Sequence, residues 1–323
     1  MFLVNNFCTR TGNFTFFMKR RFICNDKIMT KKPFHLLCLP TVGHMDQILD
    51  KFSFPVTLCK GDYRDLEFIF KGQKATILHK GRDLKDFSFV WLSSSWSTRD
   101  LAYTVRLYLE QIGVPYTHVE KGTSKVTDQM AFALGGIQSP DTLFLGSRPI
   151  RKNLLLIKKV CGYPLVIKDI KGCRGSNSEY VATQKDLLKK MKNLPTHKKY
   201  LFQKYIPNEY DWGVIVANGK VVSGEKSYPS EGEFRNNKCN GATEVYIDPK
   251  KIPSEIKRMA VNACGTLGLS WSRADIIIDK KTKKPYLLEV NRFPGIASET
   301  TDVDGAYTFL ASHITQLEKT GRQ

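Results

Sequence analysis

The sequence predicts an α/β (α+β) fold, and three observations carry that prediction. Strand-like apolar runs alternate with amphipathic helical stretches along most of the 323 residues. The run PLVIKDI ends in a Gly/Ser-rich loop, KGCRGSNS, which leads into a second strand-like run and not into a helix. Near the C-terminal end, RADIII and YLLEVN flank the lysine-rich turn DKKTKKP, the pattern of a hairpin.

The elements follow in order. In MFLVNNFCTRTGNFTFFMKRRF the basic cluster comes after the apolar part, the wrong order for a secretory signal. Met29 begins MTKKPFHLLCLP, which reads as the start of a first strand, so residues 1–28 are expected to be an extension outside the core. Phe34–Leu39 reads as a buried strand, and short strands and turns continue to about residue 82. DLKDFSFVWLSS is a strand ending in a Ser-rich loop. STRDLAYTVRLYLEQIG is a helix capped by Ser97 or Thr98 and stopped by Gly113, and VPYTHV returns as a strand. SKVTDQMAFALGG is a capped helix, with a strand beginning near Pro140. The next helix precedes a strand over Leu165–Ile170, the loop and a second strand. DLLKKMKNL is a helix and YLFQKYI a strand. YDWGVIVANGKVVSGEK is a hairpin over Asn218-Gly219. SEIKRMAVNACGTLGL is a helix ending at Gly268, before the last hairpin.

Composition bounds the function classes. Hydrophobic content of 41% with 25% charged residues describes a globular protein, and no apolar run reaches the length of a membrane span. Eight cysteines lie scattered without a CxxC pair, and six histidines show no metal-like spacing. Neither a zinc site nor a disulfide framework is expected, and the setting is expected to be reducing and cytoplasmic. The net charge of +19 is uneven: residues 33–120 are neutral, while residues 121–323 carry 33 bases against 20 acids. Such a surplus suits a polyanionic partner, and it equally suits a lysine-rich composition.

Two stretches carry chemistry. Residues at i and i+2 of a strand share a face, so Glu289 and Asn291 point the same way. A hairpin centred near Thr282 sets Asp275 opposite Glu289, and facing like charges destabilise unless something positive sits between them. A hard divalent cation, typically magnesium carried by a nucleotide phosphate, fits carboxylate and amide oxygens; the plain alternative is a solvated hairpin face. Lys168 interrupts an otherwise buried run, which alone would suit an edge strand. Beyond it, Gly172, Gly175, Ser176 and Ser178 let backbone N–H groups approach a phosphate, with Lys171 and Arg174 adding charge. GxxxxGK[ST] is absent, as is GxGxxG with its following helix, so neither a P-loop nor a dinucleotide fingerprint is present.

Over about residues 88–310 the sequence resembles the ATP-grasp superfamily, and within it the RimK-like amino-acid ligases. The resemblance rests on SKVTDQMAFALGGIQSP, LVIKDIKGCRGSNS, FQKYIPNEYD, EGEFRNNKCNGA, RADIII and LLEVNRFPGI, in that order along the chain. It implies an ATP-grasp fold with a small pre-ATP-grasp α/β domain over 33–120. Two α+β subdomains, 121–203 and 204–323, would then clasp ATP, with residues 1–32 as a basic extension. It implies that Lys125 and Lys168 contact the α- and β-phosphates. Backbone groups of Lys204 and Ile206 would hold adenine, with Gln203 and Tyr205 beside them, and Glu209 or Asp211 the ribose. Asp275, Glu289 and Asn291 would bind two magnesium ions, manganese being an alternative, and Arg235 would face the transferred phosphoryl group. The implied activity is a carboxylate–amine ligase acting through an acyl phosphate. A peptide, protein C-terminus or small molecule would be the acceptor and an amino acid the amine; a membrane or nucleic-acid partner is not expected, and a homo-oligomer is open. Cys239 reads as a pocket-wall residue. Departures fall at Gly213 and Asn240, where the pattern has arginine, and at Asn177, where it has glycine. An ATP-grasp kinase acting on a hydroxyl and a non-catalytic nucleotide or nucleic-acid binder are the competing readings.

Overall fold

Strand β1 (Phe34–Leu39) is buried along its last four residues and has a neighbour on each side. The computed structural model of the protein describes residues 33–122, 124–146, 149–172, 178–195 and 197–320. The expected extension, residues 1–28, lies outside the described residues. After the short helix α1 (Met45–Leu49), β2 (Val56–Lys60) returns parallel to β1. Strands β3 (Leu66–Lys71), β4 (Lys74–His79) and β5 (Arg82–Asp83) form an antiparallel meander. Strand β6 (Phe89–Leu92) then pairs parallel on the other side of β1. Helix α2 (Arg99–Ile112) buries Ala102, Val105 and Leu109 at helical spacing and stops at Gly113, whose φ of 73° suits glycine.

The expected strand VPYTHV does not form. Only a single bridge joins Tyr116 to Val90, through Val90 N–H to Pro115 O and Thr117 N–H to Val90 O, each at 3.0 Å. Pro115 has no N–H to offer a longer ladder.

Helix α3 (Lys125–Leu134) is capped by Ser124, whose hydroxyl accepts from the Val126 N–H. Strand β7 (Thr142–Phe144), helix α4 (Leu154–Cys161), strands β8 (Leu165–Asp169) and β9 (Ser178–Val181), helix α5 (Gln184–Lys190) and strand β10 (Tyr200–Lys204) follow. The strands form an antiparallel sheet in the order β7-β10-β8-β9. Helices α4 and α5 cover one face of it, packing Ile157 and Leu187 on Leu165, Ile167 and Phe202. Alternation along β8 and β10 sends Val166, Lys168 and Gln203 to the other face.

Strands β11 (Asp211–Ala217) and β12 (Lys220–Tyr228) meet at Asn218-Gly219, with φ of 46° and 74°, the signature of a two-residue primed turn. Strand β13 (Thr243–Tyr246), helix α6 (Ser254–Thr266), strands β14 (Trp271–Ile278) and β15 (Pro285–Asn291) and helix α7 (Thr301–Thr320) complete the chain. Five strands form an antiparallel sheet in the order β13-β12-β11-β14-β15. Helices α3 and α6 cover one face of it around Phe132, Ala260, Val214 and Ile276. Helix α7 joins this sheet to the parallel one: Trp91 of β6, Trp271 of β14 and Phe309 of α7 meet with ring centroids 5.1–5.2 Å apart. Among the described residues, no helix is long and apolar enough to cross a membrane.

Candidate active site

A cleft, partly open to solvent, lies between the bare face of the four-stranded sheet and the five-stranded sheet. Strand alternation and one bulge position its side chains. Asp275 pairs directly with Glu289, as the hairpin predicts, while Ile276 pairs with Leu287. Leu288 is thus the extra residue of a β-bulge beside the two carboxylates, a feature common next to active sites.

Neither carboxylate lacks a partner. Arg273 Nε donates to Asp275 Oδ1 at 2.8 Å, Asn291 Nδ2 donates to Asp275 Oδ2 at 2.7 Å, and Lys125 Nζ forms a short ion pair with Glu289. The positive charge expected between the acids is therefore supplied, in the protein by itself, by Arg273 and Lys125. Burial pushes the Asp275 carboxyl up, and the Arg273 guanidinium offsets only part of that. Burial acts the same way on Glu289, but Lys125 and Lys168 outweigh it and hold that carboxyl low.

Lys168 donates to Gln203 Oε1 at 2.7 Å, and Gln203 Nε2 donates to Thr142 Oγ1 at 3.0 Å. Burial, then the nearby Lys125, pull the Lys168 ammonium down to about 8, with Glu289 and Asp275 pulling the other way. Gly172, Lys204, Tyr205 and Ile206 line the same cleft. The Lys204 N–H is already donated to Asp141 O at 2.9 Å. Lys171 is exposed and does not line the cleft; Gly175 and Ser176 lie outside the described residues. Of the two ribose candidates, Asp211 lines the cleft with Oδ1 buried and unpartnered. Burial, then Asp275, push its carboxyl well above the usual range. Glu209 is exposed and pairs with Lys280 at 3.5 Å. Arg235 lines the cleft from the loop between β12 and β13. Its Nε and Nη2 donate to the two Glu233 oxygens at 3.0 and 2.7 Å, which pulls the Glu233 carboxyl down to about 2.

Sequence reasoning missed two groups. Arg292 is buried and donates from both terminal nitrogens to Asp128 at 2.8–2.9 Å, tying the end of β15 to the start of α3 and so Glu289 to Lys125. Its place inside LLEVNRFPGI was the available signal. The second is Arg273, whose guanidinium lies over Gly213, one of the departures noted above.

Solved structures share this fold. The D-alanine–D-alanine ligase of Bacillus anthracis complexed with ATP matches with a TM-score of 0.61 at 19% identity, covering 90% of this chain and 98% of that one. The ATP-grasp ligase PsnB complexed with minimal precursor, Mg and ADP matches with a TM-score of 0.60 at 14% identity, covering 86% and 96%. The fold is thus that of the ATP-grasp ligases. A protein of Maridesulfovibrio salexigens named "Probable alpha-L-glutamate ligase" is 29% identical over 244 residues, which span 72% of this chain and 77% of that relative. Residues 124–312 match the RimK-like ATP-grasp domain, and the chain belongs to that family. It is an ATP-dependent ligase of the carboxylate–amine type.

Proposed function

We propose that this ligase forms an amide by way of an acyl phosphate, using the cleft residues in the roles their positions suit. A carboxylate oxygen of the acceptor attacks the γ-phosphorus of ATP, and the bond to the β–γ bridging oxygen breaks to leave ADP. The amine then attacks the acyl carbon, phosphate departs, and the amine nitrogen loses its proton. The observation that carries this reading is the convergence of Lys125, Lys168, Asp275 and Glu289 on one cleft that also holds Arg235.

Lys168 and Lys125 balance phosphate charge, and Asp211, with its unpartnered oxygen, takes a ribose hydroxyl. Gln203 and the 204–206 segment flank the base, and Gly172 lies against the phosphates. Arg235, released from Glu233, stabilises charge on the moving phosphoryl oxygens. Asp275, Glu289 and Asn291 fit magnesium: two carboxylates and an amide are hard oxygen donors. Among the described residues, no three His, Cys, Asp or Glu converge as a metal group, so phosphate oxygens would complete the shell. When bound, two magnesium ions (or manganese) would neutralise charge between the β- and γ-phosphates. The three working parts are 33–120, 121–203 and 204–323, and the setting is cytoplasmic, which suits cysteines scattered along the sequence without a pairing pattern.

The acceptor is a peptide, protein C-terminus or small carboxylate, and the donor an amino acid. Glutamate is the first donor to try, given the name of the relative, although Gly213 and Asn240 stand where the family pattern has arginine. Mixing protein, Mg–ATP and panels of carboxylates and amino acids should release phosphate and yield a new amide by mass spectrometry. A stable phosphoester instead would make the protein a kinase. ATP binding with no product across the panels would favour a non-catalytic role.

A further inference from the structure

A transverse row of the five-stranded sheet holds three carboxylates and one gap. Glu225 on β12 pairs with Gly213 on β11, Gly213 pairs with Asp275 on β14, and Asp275 pairs with Glu289 on β15. All four positions share one face of the sheet, so the row reads Glu, Gly, Asp, Glu. Its missing side chain is replaced from one step along β14. The Arg273 guanidinium fills the place above Gly213: a Cβ at 213 would lie 2.3 Å from Arg273 Cζ, a contact that no real side chain makes. From there Arg273 Nη2 meets Glu225 Oε1 and Arg273 Nε meets Asp275 Oδ1, each at 2.8 Å. Glu225 is buried and accepts a further hydrogen bond from Ser227 Oγ at 3.1 Å, so the far end of the guanidinium is anchored.

We infer that Arg273 is a positioning residue for the metal-binding carboxylate: seated on Gly213 and anchored by Glu225, it fixes the direction in which Asp275 faces the cleft. This rests on the magnesium reading of Asp275 given above. The physical argument is one of degrees of freedom. A carboxylate on a strand can turn about its side-chain torsions. Here Arg273 holds one oxygen and Asn291 the other, which leaves one orientation before any ligand arrives. Glu225, neutralised by the same guanidinium, is kept out of the cleft-facing set. Only Asp275 and Glu289 of the row line the cleft.

The test is the magnesium requirement of nucleotide binding, followed by titrating MgCl₂ against a fluorescent ATP analogue, so turnover is not needed. Arg273→Ala should fold and should raise the magnesium needed for half-maximal binding about tenfold or more, the usual effect of removing a group that orients a metal ligand. Arg273→Lys should recover little of this, because an ammonium cannot reach both carboxylates with a planar fork. Gly213→Arg alone should displace the Arg273 guanidinium from its place and raise the magnesium requirement. The exchange variant, Gly213→Arg with Arg273→Gly, should regain a near wild-type magnesium requirement, because an arginine at 213 stands between Glu225 and Asp275. Circular dichroism separates folding failure from loss of binding. A folded Arg273→Ala with an unchanged or lower magnesium requirement would overturn the inference. So would a folded exchange variant that binds nucleotide but does not recover. If the wild-type protein itself binds nucleotide without regard to magnesium, the metal reading falls and this inference with it.

Discussion

Lys168 is a charged group in a place that disfavours charge. Its strand is buried and Lys125 is close, so its ammonium titrates near 8 in the nucleotide-free protein. A bound triphosphate favours the charged form. Below that value the lysine is already protonated, and binding needs no proton. Above it, binding must take one up, so ATP affinity should decline as pH rises through about 8. Calorimetry in buffers of differing ionisation heat, from about pH 7 to about 9, should show proton uptake growing over that range. Lys168→Ala should weaken Mg–ATP binding at least about tenfold without unfolding the protein, since it removes a charge-assisted contact and no packing atoms of the core. Glu289 follows a different logic. The opposition of Asp275 and Glu289 was legible because strand periodicity and a turn-rich linker fix a hairpin register. The partners were not, because Lys125 comes from a helix 164 residues away. Glu289→Gln therefore does more than relieve its repulsion with Asp275; it leaves Lys125 without its counter-charge and should on balance cost about 1 kcal/mol of stability. Magnesium-dependent phosphate release should drop roughly a hundredfold, and equal rates in the two proteins would sink the metal assignment.

At the scale of elements, helix α7 does what no local pattern announced. It was not anticipated from the sequence, although Val303, Ala306, Phe309, Leu310 and Ile314 recur at helical spacing and are all buried. Its partners are what make it, and they come from strands at both ends of the chain. The hairpins, by contrast, were readable: Asn218-Gly219 specifies its own turn whatever lies around it. VPYTHV misled because its β-branched and aromatic residues suit a strand while Pro115 denies it a ladder. Trp271→Ala should test the α7 junction. Emptying the space between Trp91 and Phe309 should lower unfolding free energy by about 3–5 kcal/mol in urea, with nucleotide affinity per folded molecule unchanged.

At the scale of the molecule, the same junction decides what can stand alone. Residues 33–120 read as a small, neutral α/β domain, and one face of their parallel sheet does pack on α2, through Leu37, Val90 and Val105. The other face, with Leu36, Cys38, Phe89 and Trp91, is covered by α1, α7 and the end of the five-stranded sheet. Composition cannot reveal which partner covers a face, so this sharing was invisible beforehand. Expressed by themselves, residues 33–120 should expose that face, bind a hydrophobic dye and give poorly dispersed amide resonances. A cooperative thermal transition in the fragment would show that the shared face is dispensable.

The Gly213–Arg273 contact also restricts how this protein can change by single steps. While arginine stands at 273, any side chain at 213 must displace its guanidinium, and with it the bridge to Glu225 and Asp275. An arginine arriving at 213 first would push the one at 273 out of its place between Glu225 and Asp275. The route between the two arrangements then crosses either a row with no arginine or one whose two arginines compete for a single place, a sequence valley and not a neutral path. Saturation mutagenesis of position 213 should accept glycine alone in the present background, by nucleotide binding or by yield of folded protein. The same scan with Arg273→Gly should admit alanine, serine and arginine. Identical tolerance in the two backgrounds would mean that the positions vary independently.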